Sequence, residues 1–133
     1  MTVPSRAEEV HAELLRAHKS LEAAQSLLQH NFLEDALSRA YYAILHAARA
    51  ALLAEGVDVS SHRAVRRLFG LHLVKPGKLA MRFAKILAEE QDDRMLADYD
   101  AWFHPEQDRV ESRITEAGEF LNSVRTFLMS RNG

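Results

Sequence analysis

The sequence predicts an all-α fold: an antiparallel up-and-down bundle of four long helices plus one short helix, forming a single domain over residues 1–133. Three observations carry that prediction. Apolar residues recur at steps of three and four through long runs, the period of an α-helix with one buried face. Glycine and proline are scarce, five and three in the whole chain, and they fall where helices should begin or end. No stretch alternates apolar and polar residues as a half-buried strand would.

The first helix is expected from about Ser5 to Gln29, after Pro4. Val10, Leu14, Ala17, Leu21, Ala24 and Leu28 supply its apolar face, and Ser5 with Glu8 has capping-box spacing. His30-Asn31 is a weak break. A second helix follows from about Phe32 to Glu55, and Gly56 is its natural stop. Its face runs Leu33, Ala36, Leu37, Ala40, Tyr41, Ile44, Ala47, Ala48, Ala51 and Leu52, and so many alanines let neighbouring helices come close. Ser60 or Ser61 caps a short third helix that reaches Phe69 and Gly70. Lys75-Pro76-Gly77-Lys78 is the strongest turn in the chain. The fourth helix is expected over about Leu79 to Tyr99, with Met81, Phe83, Ala84, Ile86, Leu87 and Leu96 apolar. Asp100 to His104 is a joint, and Pro105 suits a first helical turn. The last helix runs from about Glu106 to Ser130 on Val110, Ile114, Ala117, Leu121, Val124 and Leu128.

Composition narrows the function. Hydrophobic residues make up 47% and charged residues 27%, an ordinary soluble balance, and the net charge is -2, so any nucleic-acid contact must be a local basic patch. The absence of cysteine removes thiolate chemistry, disulfides and cysteine metal sites, and it fits a cytoplasmic location. The N-terminal segment has no apolar signal core, and no run of roughly 18 apolar residues is present, so no membrane association is expected.

Three clusters carry possible chemistry. Tyr41, Tyr42, His46 and His62 set polar tips on or beside an alanine-rich face. Tyr42 and His46 are four residues apart and share a side of their helix. They are either buried tips satisfied by hydrogen bonds or a functional cluster. Arg63, Arg66, Arg67, Lys75 and Lys78 form a local basic run, which serves as a phosphate-binding surface or as a solvated helix face. In the third cluster, acidic residues surround Arg94, and Arg94 and Asp98 have the spacing of an ion pair on one helical face. Asp92, Asp93, Asp98 and Asp100 lack the spacing and glycine of a calcium loop. The seven histidines show no zinc pattern, and no glycine-rich phosphate loop exists, so neither metal nor cofactor is expected.

Four segments together resemble the small stand-alone bacterial and archaeal HEPN proteins. They are Ser-Arg-Ala-Tyr-Tyr-Ala-Ile-Leu-His-Ala-Ala-Arg-Ala (38–50), Ser-His-Arg-Ala-Val-Arg-Arg-Leu-Phe (61–69), Leu-Val-Lys-Pro-Gly-Lys (73–78) and Arg-Met-Leu-Ala-Asp-Tyr-Asp (94–100). The resemblance spans about residues 5 to 130. It implies an antiparallel helical bundle that forms homodimers. It also implies pairing with a minimal nucleotidyltransferase in a toxin–antitoxin system, the HEPN member being the toxin. Such toxins are metal-independent RNases. A histidine that follows an arginine after four to six intervening residues moves the ribose 2′-hydroxyl proton, and the arginine stabilises the phosphate transition state.

Arg94 stands at the arginine position, but no histidine follows at that spacing. Asp98, Tyr99, Asp100 and Ala101 occupy the stretch, and the next histidine, His104, is ten residues on. Arg94, Asp98 and Tyr99 therefore map to the catalytic region without the usual base. An ionised aspartate repels phosphate. Tyr99 is a candidate acceptor for nucleotidyl modification by the partner. The expected function is an RNA- or nucleotide-binding toxin component, an RNase only if the altered motif suffices. The alternative is a non-catalytic dimeric module that binds a protein or nucleotide ligand, with Arg94 and Asp98 holding a cleft in shape. Tyr99, Trp102 and Phe103 at the joint are the expected dimer surface.

Overall fold

The computed structural model describes residues 2–132 of the chain. Among them are five α-helices and no strand: α1 (Arg6–Gln29), α2 (Leu33–Ala54), α3 (His62–Phe69), α4 (Met81–Tyr99) and α5 (Gln107–Asn132). The four long helices alternate in direction. Arg6 of α1 reaches Asp58 just beyond α2, Tyr42 of α2 meets Arg94 of α4, and Arg113 of α5 meets Glu89 of α4.

α2 is the central helix because its sequence lets it be buried nearly all round. Ala36, Ala40, Ala43, Ala47, Ala48, Ala50 and Ala51 are all completely buried, and only side chains this small let α1, α4 and α5 each lie against it. The larger core residues fill the space between them: Leu37, Ile44, Leu52, Val65, Phe69, Leu73, Leu87, Phe120, Leu121 and Val124. Phe120 stacks on Phe69 at 5.3 Å and meets the Phe83 ring edge-on at 5.7 Å, tying α5 to α3 and α4.

Helix limits follow local chemistry. Ser5 Oγ accepts from the Glu8 N–H at 3.1 Å, and Ser61 Oγ accepts from the Ala64 N–H at 3.1 Å. Three helical segments end in the same way, with a left-handed residue and a six-to-one backbone bond. Asn31 (φ 66°) permits Phe32 N–H to reach Leu27 O, Gly56 (φ 80°) permits Val57 to reach Leu52, and Gly77 (φ 81°) permits Lys78 to reach Leu73, each at 2.9 Å. The weak break at His30-Asn31 is thus a full helix stop.

The structure departs from expectation at a few places. The third helix does not stop at Gly70. It widens into a π-helical turn, Gly70–Val74, closed by Lys75 N–H on Gly70 O at 2.9 Å. α4 begins at Met81 rather than Leu79, and Leu79 is buried ahead of it while Met81 is exposed. Leu96 is also exposed, and Pro105 lies buried just outside α5 instead of in its first turn.

Candidate phosphate-binding site

Three pairs of side chains set the register between α2 and the α4 end of the molecule. Tyr42 meets Arg94, Ser38 meets Asp98, and Glu34 meets His104. Each step along α2 is one turn, so His104 sits about 12 Å along the axis from Tyr42. His104 is exposed there, 3.5 Å from Glu34, and does not join the arginine.

Arg94 is the hub. Its side chain is only 14% exposed, and it donates from Nη2 to the Tyr42 hydroxyl at 2.9 Å. The guanidinium lies 5.5 Å from the centre of the Tyr42 ring, 5.8 Å from Tyr99 and 6.0 Å from Tyr41, within the range of cation–π attraction. Burial works against its charge, yet the Tyr42 hydrogen bond and the neighbouring Asp98 hold its pKa above the ordinary value. The predicted ion pair with Asp98 is present, with Nε 3.0 Å from Oδ2. It is poorly aligned, however, and the buried Nε–H makes no hydrogen bond among the described residues. Asp98 instead accepts a short hydrogen bond from Ser38 Oγ through its other oxygen.

The tyrosine and histidine cluster forms around this hub, divided between partners. Tyr42 pairs with Arg94 of α4, whereas His46, one turn on, meets Glu13 of α1 at 2.6 Å between Nδ1 and Oε2. His62, the first residue of α3, packs against both rings, 5.7 Å from Tyr41 and 6.0 Å from Tyr42. Burial first, then the positive surroundings of Arg94, Arg49 and His46, lower its pKa, so the imidazole is neutral at pH 7. Tyr41 is the exception to satisfied tips: it is fully buried, its hydroxyl has no hydrogen-bond partner among the described residues, and burial pushes its pKa to about 12.

The basic run divides. Arg63, Arg66 and Arg67 are exposed along α3, and Arg66 leans over α4 one turn before Arg94, 3.5 Å from Gln91 and 3.8 Å from Asp92. Lys75 and Lys78 lie at the other end of α4, about 20 Å away along its axis. Lys78 is engaged there with Glu55 at 2.7 Å, and Arg131 holds the same carboxylate at 2.8 Å. Tyr99 and Trp102 are 73% and 89% exposed, while Phe103 is half-buried beneath Arg109.

A second polar network, between α4 and α5, was not foreseen. Asp93 is buried and accepts from both Arg109 and Arg113, the latter at 2.7 Å from Nε. Arg113 also reaches Glu89 at 3.2 Å and Glu116 at 3.0 Å. Glu90, 1% exposed, has no hydrogen-bond partner on either oxygen among the described residues, and burial beside Glu116 pushes its pKa to about 10. The available signal was spacing: Phe83, Ile86, Glu90 and Asp93 fall on one helical stripe, so two acids had to enter the core. Ser38 was likewise passed over, as a small polar residue four before Tyr42. No group of three or more acidic or histidine side chains that could hold a metal ion is present among the described residues, and no helix there is long and apolar enough to cross a membrane.

Comparison with known proteins adds the family. The HEPN domain model matches residues 10–127. Putative toxin MJ0605 of Methanocaldococcus jannaschii is 34% identical over 121 residues, 91% of this chain and 90% of that protein. UPF0332 protein PH1297 of Pyrococcus horikoshii is 41% identical over 96 residues, 72% of this chain and 66% of that protein. A second M. jannaschii protein, Putative toxin MJ0142, is 30% identical over 117 residues, 88% of this chain and 80% of its own length.

Proposed function

The chain belongs to the HEPN domain family, and from that membership we propose that it is a toxin-type member that binds RNA through its phosphates. In this reading it acts as a homodimer and is held in check by a minimal nucleotidyltransferase partner. The observation that carries the reading is Arg94: a largely buried guanidinium beside three tyrosine rings, with an Nε–H that makes no hydrogen bond among the described residues. A buried cation that keeps an unsatisfied donor is suited to receive an anion, and a phosphodiester is the anion the tyrosines also suit, through base stacking. Arg63, Arg66 and Arg67 extend the positive surface along α3 as positioning contacts to the backbone. Met95, Leu96, Tyr99 and Trp102 are exposed on the last turn of α4 and the joint beyond it, and they offer an apolar surface to a second copy. Tyr99 is open to modification by the partner enzyme.

A second reading has its own support. Asp98 stands beside Arg94, no histidine lies within the motif spacing, and His104 is paired elsewhere. Those observations favour a binding module without cleavage. One assay separates the two: the purified protein is incubated with RNA in the presence of a chelator, alongside Arg94→Ala. The proposal expects wild type to bind RNA and Arg94→Ala to bind about tenfold more weakly. Metal-free cleavage lost in the variant establishes the RNase, and binding without cleavage establishes the module. A folded protein without affinity for RNA contradicts the first reading and leaves a module for a protein or nucleotide ligand.

A further inference from the structure

We propose that Asp98 is an internal anion occupying the phosphate position of Arg94, so that the site is closed until Asp98 leaves. The inference rests on the reading of Arg94 as an anion site and concerns how that site is regulated. Three observations converge on it. First, Asp98 Oδ2 sits 3.0 Å from Arg94 Nε, the distance at which a phosphate oxygen would sit. Second, the contact neutralises charge without satisfying the donor: the Nε–H is buried and makes no hydrogen bond, and Nη1 has only the Met95 sulfur at 3.7 Å. Ser38 holds the other carboxylate oxygen and keeps Asp98 from the two-point pairing an arginine prefers. A phosphate that aligned two oxygens on the same guanidinium would therefore gain hydrogen bonds that Asp98 does not make. Third, Asp98 lies in the last turn of α4, which ends at Tyr99. A carboxylate is disfavoured at the negative end of a helix dipole, so its own helix gives it little reason to stay. Its neighbour Asp100 is occupied in the joint, accepting from the Trp102 N–H at 2.9 Å. The latch is thus held by two side-chain contacts at a helix end, and unwinding that turn releases it.

Displacement exchanges one anion for another at Arg94 and moves Asp98 toward solvent, where it is already 31% exposed. Cleavage is not required for it. The test measures binding of inorganic phosphate, and separately of a short single-stranded RNA, to wild type, Asp98→Asn, Asp98→Ser and the double variant Asp98→Asn with Arg94→Ala. Circular dichroism establishes that each is folded. Both single variants are expected to bind phosphate about tenfold more tightly than wild type, and the double variant to lose that gain. Equal or weaker phosphate binding by both single variants overturns the latch, as does a gain that survives loss of Arg94. The RNA arm tests the parent reading separately. A phosphate gain with no RNA affinity in any variant keeps the latch and removes RNA as the ligand. RNA affinity that responds to neither Asp98 nor Arg94 overturns the reading of Arg94 as the RNA phosphate site, while the phosphate arm alone decides the latch.

Discussion

Arg94 and Glu90 lie one turn apart on the inner side of α4 and meet burial in opposite ways. Arg94 stays charged because Tyr42 and Asp98 face it. Glu90 has no hydrogen-bond partner among the described residues and, buried near Glu116, keeps its proton, with a pKa of about 10. The folded chain therefore retains a proton that the unfolded chain releases near pH 4.5. The stability this gives is complete below the unfolded pKa and drains away as pH rises through the folded one. Thermal melts between pH 5 and pH 10 are expected to fall more steeply for wild type than for Glu90→Gln, which carries no proton to lose. Coincident slopes would show that Glu90 ionises freely. His62 reports on Arg94 in the same way. Its pKa is held down by burial and by that guanidinium, so Arg94→Ala is expected to move the His62 imidazole resonance midpoint upward in an NMR titration.

At the scale of elements, capping and turn chemistry decide where each helix ends. Ser61→Ala removes the α3 cap and is expected to cost about 1 kcal/mol, a fall of about 4 °C in Tm. Gly56→Ala meets no obstructing atom, so its cost of about 1 kcal/mol comes from the left-handed backbone alone. These features were legible because Ser5, Ser61, Gly56 and Pro76-Gly77 act through their own backbone neighbours. The π-helical turn at Gly70–Val74 was not, since no residue type marks a bond that skips five residues. Met81 and Leu96 fitted the apolar spacing of α4 and are exposed nonetheless, because the stripe outruns the helices that cover it at both ends.

Across the whole molecule, the bundle could be read from periodicity, but the register between helices could not. That register decides the site: it pairs Tyr42 with Arg94 and Ser38 with Asp98, and it leaves His46 to Glu13 and His104 to Glu34. The same limit hid the α4–α5 network, whose members are up to 27 residues apart in sequence, Glu89 to Glu116, and are joined through Arg109 and Arg113. Asp93→Ala would leave Arg113 buried without its main partner, and a loss of about 3 kcal/mol in denaturant unfolding is expected. Asp93 lies one residue before Arg94, whose guanidinium is the hub of the site. The central claim is that this guanidinium receives phosphate. The most direct measurement is the salt dependence of single-stranded RNA affinity for wild type and Arg94→Ala. The account predicts weaker binding by the variant and a logarithmic salt slope shallower by about one unit. Superimposable curves from two folded proteins would contradict it.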